Sequence, residues 1–262
     1  MNPNLASGKP IRRWATREGA NVILMPDGER ALESYYDQSW MRNLQTGAII
    51  WSLHRAATVG LVLPSPDGHR VTSVGPGYEG TRLHDSADGK VIWQHPAAEP
   101  LAFSADGRTL YLRTYDWHLL ALDVTDGSLR LQIDRQRTET RAFYPSVDGK
   151  FGLASSGKDL SGYDLEHGKQ LWRIEGSEYG HAILPDGAVF VSHEHRTMRL
   201  RSTATGLDLA PPLPLDGLPG SVIRFIVTAD GKAMFLTSGE GLIFRLALDP
   251  AAAASGEGRT RY

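Results

Sequence analysis

The chain alternates short β-prone runs with polar turns, and it does so in register. NVILMP, GLVLPS, PLAFSA, RAFYPS, HAILP and RFIVTA each lead into an Asp-Gly pair, and RALESYY, RVTSVG, TLYLRTY, KFGLASS, AVFVSH and AMFLTS come after it. Two such runs joined through Asp-Gly are the strongest local hairpin signal. Glycine takes positive φ at little steric cost, and aspartate can bond the turn backbone. The pairs are Asp27-Gly28, Asp67-Gly68, Asp106-Gly107, Asp148-Gly149, Asp186-Gly187 and Asp230-Gly231, at intervals of 40, 39, 42, 38 and 44 residues.

A second turn sits inside each period, at Ser7-Gly8, Thr46-Gly47, Asp88-Gly89, Asp126-Gly127, His167-Gly168 and Thr205-Gly206. A third strand precedes it, as in HLLALDV and DLSGYDL, and a fourth follows it, as in AIIWSLH, KVIWQHP, SLRLQID and KQLWRIE. Each period therefore predicts four antiparallel strands, a to d. Trp51, Trp93 and Trp172 stand four residues after their turn glycine, and Leu131 takes the same place in another repeat. A large apolar side chain at a fixed strand position is expected to seal neighbouring sheets. In ALESYYDQSWMRNL, Leu32, Tyr36, Trp40 and Leu44 also fall at helical spacing. The strand reading prevails because the other five repeats carry strand residues there.

A period near 40 residues belongs to solenoids and propellers, and the strand count favours the second. Strands a, b and c occur six times. The last set, RFIVTA, AMFLTS and GLIFRLAL, lacks its strand d, whereas an unpaired d-like piece, PIRRWAT after Ser7-Gly8-Lys9, lies at the other end. The expectation is an all-β, six-bladed β-propeller of four-stranded antiparallel blades. It is one domain over residues 1–249, its ring closed by residues 8–15 as strand d of the last blade. Closure removes exposed sheet edges. Residues 250–262 read as a disordered tail.

SPDGHRVTSVG, SADGRTLYLRT and TADGKAMFLTS resemble the first hairpin of WD-repeat β-propellers, and LLALDVTDGSLRL and GYDLEHGKQLW resemble their third and fourth strands. The resemblance covers residues 7–249. At the signature Trp-Asp positions the chain reads Arg42-Asn43, His84-Asp85, Leu122-Asp123, Tyr163-Asp164 and Arg201-Ser202, and Gly180-His181 is the single Gly-His pair. Some stretches also resemble quinoprotein-type repeats, with their ALD…G…W pattern. Such enzymes usually have eight blades and are exported, unlike the six blades and cytoplasmic location expected here.

Composition narrows the function classes. The 262 residues carry 28 Lys plus Arg against 30 Asp plus Glu, a net charge of −2, and no cysteine. Thiol chemistry, disulfides and Cys-bearing zinc sites are excluded. A nucleic-acid grip normally wants a basic face. No apolar run is long enough for a membrane helix, and no secretory leader is visible, so the expected compartment is the cytoplasm. No GxGxxG opening a helix, P-loop, HExxH or GxSxG occurs, so no catalytic residue, metal or cofactor is assigned. Most carboxylates sit in turns, and Asp85, Asp123 and Asp164 are expected to cap the c–d turns. His193-Glu194-His195 with His181 is the sharpest titratable cluster. A two-residue turn at Asp186-Gly187 would set His181 opposite Ser192, facing away from His193.

The informative residues lie where the d–a and b–c loops share an end of each blade. Tyr35, Tyr36, Trp40, Tyr78, Tyr115, Trp117 and His118 fall in b–c connections, and Arg55, Arg135, Arg137 and Arg141 in d–a connections. Tyr, Trp and Arg are enriched at interface hot spots, and loops on a rigid scaffold commonly carry function. Together with the WD-repeat resemblance, these residues imply a non-enzymatic scaffold that binds a protein or peptide partner on this loop face, as a monomeric propeller within a larger hetero-complex. The alternatives are a propeller-type hydrolase or lactonase with a metal in the central channel, and a ligand or nucleic-acid binder.

Overall fold

The structure is a computed structural model that describes residues 20–36, 38–54, 62–75, 79–133, 140–176, 179–194, 196–216, 222–228, 230–238, 240 and 242–247. The expected closing strand at 8–15 and the tail at 250–262 lie outside these residues. The chain forms two compact units, Met1–Ala97 and Ala98–Tyr262.

The first unit holds two antiparallel sheets. Blade 1 is the meander Asn21–Leu24, Arg30–Tyr35, Gln38–Asn43 and Ile49–His54. Blade 2 has Arg70–Val74, Thr81–Asp85 and Val91–His95, and a single Pro64–Val71 bridge marks the place of its first strand. The second unit holds four sheets. Blade 3 is Ala98–Phe103, Thr109–Thr114, Leu119–Asp123 and Leu129–Ile133, and blade 4 is Ala142–Pro145, Phe151–Ser155, Asp159–Asp164 and Lys169–Glu175. Blade 5 is Tyr179–Ile183, Val189–Glu194, Thr197–Ser202 and the short Leu213–Pro214. The prolines of that last stretch cannot donate to a ladder, which keeps the strand short. Blade 6 has Val222–Val227, Ala233–Ser238 and Ile243–Ala247. These six sheets are β-propeller blades, as the repeats predict. The fourth strand of blade 6, expected from the sequence at residues 8–15, falls outside the described residues.

All six Asp-Gly glycines hold φ between 67° and 73°, a region that L side chains avoid. The aspartates bond the turn from within. Ser65, Ser104, Ser146 and Thr228 each donate a hydroxyl to the turn aspartate at 2.5–2.6 Å and accept the N–H five residues on at 2.9–3.0 Å.

The cores form between neighbouring sheets, because each sheet is apolar on both faces. Met25, Leu32 and Met41 of blade 1 cluster with Val71 of blade 2, and Phe151 and Leu153 of blade 4 cluster with Phe190 of blade 5. The expected seal is present at Trp51, Leu131 and Trp172. Trp51 lies against Gly89 of blade 2, Leu131 against Gly168 of blade 4 and Trp172 against Gly206 of blade 5, so close that a Cβ on any of these glycines would stand 2.8–3.0 Å from the ring or methyl group. The two indoles also donate to the carbonyl three residues before the glycine, Trp51 to Ser86 at 2.8 Å and Trp172 to Thr203 at 2.7 Å. A β-bulge aims these side chains. Ile50, Ile92, Arg130 and Leu171 are the extra residues of their d strands, each just before the sealing position. A bulge bends the strand and re-aims the residue beside it.

At the signature tryptophan positions, Arg42, His84 and Arg201 donate instead to the carbonyl of their own turn glycine, to Gly47 at 2.7 Å, Gly89 at 2.9 Å and Gly206 at 3.2 Å. Arg42 and His84 are held from strand b as well, by Glu33 and Ser73 at equivalent places.

Candidate functional site

The c–d turns are capped as expected. Asp85 accepts the Ala87 N–H, Asp123 the Thr125 N–H, and Asp164 the N–H groups of Glu166 and His167. These repeated contacts leave the b–c and d–a connections as the variable ends of the blades.

In blade 3 the b–c connection Thr114-Tyr115-Asp116-Trp117 rebuilds the Asp-Gly turn with a tryptophan in place of glycine. The Thr114 hydroxyl donates to Asp116 at 2.5 Å and accepts the His118 N–H at 2.9 Å. The Trp117 N–H donates to the Thr114 carbonyl at 3.0 Å, as Gly107 does to Ser104 at 2.9 Å. Trp117 accordingly sits at φ 72°, a conformation that strains a non-glycine residue by about 1–3 kcal/mol. His118 Nδ1 lies 3.2 Å from the Asp116 carboxylate. The Thr114 hydroxyl, and after it His118, hold Asp116 below the usual carboxylate range.

Blade 1 shows the same choice. Tyr36 takes φ 50° in the b–c turn and is 70% exposed. Its ring meets Tyr35 edge to face, with centroids 4.5 Å apart. The two turns thus hold large aromatic residues where glycine would relax the backbone. Strain of this kind gathers at functional sites.

Trp40 differs from expectation. It is 7% exposed, inside blade 1, and its indole N–H donates to the buried Glu33 carboxylate, which also takes Arg42. It lies on strand c, two residues beyond the turn, so its side chain packs in the blade. Arg141 is exposed at the start of blade 4, its N–H bonded to the Ser155 carbonyl at 2.8 Å. Beside it, Arg113 donates to the Thr140 carbonyl at 2.7 Å and pairs with Glu99. Arg55, Tyr78, Arg135 and Arg137 lie outside the described residues.

The histidine cluster is corrected in register. Gly180, not His181, pairs with Ser192, and Ala182 pairs with Val191, so His181 is a bulge residue. An inserted residue cannot be read from turn spacing. His193 stacks on Tyr179 and meets Phe225 at a tilt, each with ring centroids 5.5 Å apart, and His195 lies outside the described residues. Tyr179, 44% exposed at the same end of blade 5, went unnoticed in sequence because it stands on a strand.

Among the described residues, three neighbouring side chains offer metal-ligand atoms, Asp164, Glu166 and His167, within 4.8 Å of one another. Their geometry is that of the c–d turn of blade 4. Asp164 already accepts two backbone N–H groups and the His167 ring at 2.8 Å. The same blade's turn end borders a cleft of about 250 Å³ reaching to Thr203 of blade 5.

Comparison with known proteins places these features. The family model described as "Outer membrane protein assembly factor BamB" matches residues 7–210. No curated protein matches the sequence. Among solved structures, the C-terminal WD40 domain of Sif2 superposes with a TM-score of 0.67 at 16% identity, covering 90% of this chain and 69% of that one. Identity at that level speaks for the fold alone.

Proposed function

The chain belongs to the family described as outer membrane protein assembly factor BamB, matched over residues 7–210, and from that membership we propose a non-enzymatic interaction scaffold acting as a subunit of a larger assembly. The partner is a protein or peptide, and it docks on the b–c and d–a ends of the blades.

The observation that carries this reading is Trp117, an indole held at φ 72° in a turn that threonine and aspartate rebuild on the glycine pattern. A sequence selected for stability alone would place glycine there. Keeping the indole costs backbone energy, and a contact made by the side chain accounts for that cost. Tyr36 supports the same reading in blade 1, and Tyr115, His118 and Arg141 extend the surface in blades 3 and 4.

The test is parallel affinity purification of tagged wild-type and Trp117→Gly chains from the native cell, with mass spectrometry of the eluates. The reading expects a stoichiometric protein held by the wild type and lost from the variant. Equal recovery on both chains would remove Trp117 from the docking surface. A wild-type chain that emerges alone would count against the scaffold itself.

A further inference from the structure

The joint between blades 1 and 2 contains an arginine that its counterpart between blades 4 and 5 lacks. Arg30, first residue of strand b in blade 1, reaches across to blade 2. Its Nη1 donates to the Ser86 carbonyl at 2.9 Å and lies 3.1 Å from the Ser86 hydroxyl, its Nη2 donates to the Gly68 carbonyl at 3.1 Å, and its Nε pairs with Asp27 at 2.6 Å. The guanidinium thus fills the crevice at the turn end of the joint.

Blades 4 and 5 repeat the register, the turn hydroxyl and the indole of this arrangement. Phe151 occupies the register of Arg30, its carbonyl accepting the Ser146 N–H as Arg30 accepts that of Met25. Thr203 occupies the place of Ser86. It takes the Trp172 indole as Ser86 takes Trp51, and its hydroxyl donates to the Gly187 carbonyl at 2.8 Å as Ser86 does to Gly68 at 2.6 Å. Phe151 packs toward Phe190 of blade 5 but brings no donor to these carbonyls. A cleft of about 250 Å³ opens beside it, lined by Phe151, Leu171, Thr203, Asp164, Glu166 and Lys150.

We propose that this crevice accepts an arginine side chain presented by a partner polypeptide. In the joint of blades 1 and 2 the counterpart of Thr203, Ser86, already holds a guanidinium. The apolar wall of Phe151 and of Leu171, which is 48% exposed, suits the aliphatic stem of an arginine. Two carboxylates face a single lysine on the rim, so the charge favours a cation. Asp164 is committed to its turn, whereas the exposed Glu166 carboxylate has no protein donor among the described residues and is the group to pair with the guanidinium. The site lies at the opposite end of its blades from Trp117, so this inference and the loop-end reading stand or fall separately.

The experiment is an NMR titration of the isotopically labelled full chain with N-acetyl-L-arginine amide, read at the Trp172 indole N–H, whose acceptor Thr203 lines the crevice. N-acetyl-L-citrulline amide, nearly the same shape without the charge, is the control. The expected result is a saturable shift at Trp172 with the arginine derivative, none with citrulline, and about tenfold weaker binding in Glu166→Lys. That substitution is exposed and leaves the core intact. No shift at Trp172, an equal shift with citrulline, or unchanged binding in Glu166→Lys would each overturn the proposal.

Discussion

The indole N–H of Trp172 in blade 4 donates to the Thr203 carbonyl of blade 5, 2.7 Å away, while its ring covers Gly206 three residues further on. One side chain therefore satisfies a carbonyl and fills a joint. Trp51 makes the same contact with Ser86, but there Arg30 donates to the carbonyl as well. Phenylalanine would keep most of either ring and remove the N–H. Trp172→Phe is expected to cost about 1–3 kcal/mol, because the Thr203 carbonyl loses its donor, and Trp51→Phe to cost less. Urea unfolding of the two variants side by side measures the difference. Equal losses would assign the effect to volume instead.

The a–b turns yield a second expectation. The Ser104 hydroxyl donates to Asp106 and accepts the Thr109 N–H, and this hydroxyl is the first cause that holds Asp106 below the usual carboxylate range. Ser104→Ala leaves a buried N–H without its acceptor and should cost about 1–2 kcal/mol. It should also move the Asp106 titration upward. Carboxyl NMR against pH, together with thermal melting, reads both effects on one sample.

His84 gives the acid side of the stability profile. It is buried, bonded to Ser73 at 2.8 Å and to the Gly89 carbonyl at 2.9 Å. Burial lowers its pKa from the ordinary value near 6.5, the Gly89 carbonyl opposes that shift, and Arg82 adds to it. A lowered histidine pKa means that the unfolded chain binds the proton more readily. The stability from neutral His84 is therefore fully present above about pH 6.5 and declines as pH falls from there toward the folded pKa. Melting temperatures of wild type and His84→Gln from pH 8 to 5 should diverge at the neutral end and converge at the acid end.

Trp117→Gly separates folding from binding. Glycine accepts φ 72° without strain, so the variant should melt no lower than wild type, with a gain of up to about 1 kcal/mol. Partner binding should weaken by about 2 kcal/mol or more if the indole is a hot spot. Calorimetry of the chain alone and a binding isotherm with the captured partner give the two numbers. A destabilised variant would show that the ring is needed for packing.

The repeat order was legible because its marks are steric. Positive φ at Gly28 or Gly231 admits few other residues, so the turns stand out at once, and the spacing of Trp51, Leu131 and Trp172 from their glycines foretold the blade joints. Bulges left no such mark. The one at His181 moved the expected pairing by a residue, and those at Ile50 and Leu171 aim the sealing side chains without any sign in composition. Glu33, to which the sequence pattern gives no role, is fully buried and bonds Trp40 and Arg42. The loop-end site was legible only in outline. Aromatic content pointed to the b–c turns, but the strain at Trp117 and Tyr36 is a matter of φ, which residue type alone does not disclose. The crevice beside Phe151 was hidden because it depends on how the turns of two blades come together, which the repeat pattern does not disclose.

The bulge and the turn glycine have a further consequence. A blade that carries both holds the two halves of a joint, one that closes on the blade after it and one that receives the blade before. Tandem copying of such a unit copies a working joint with it. A gene built this way can lengthen by whole blades, each new copy already fitted to its neighbours, while mutation remodels the loops between them.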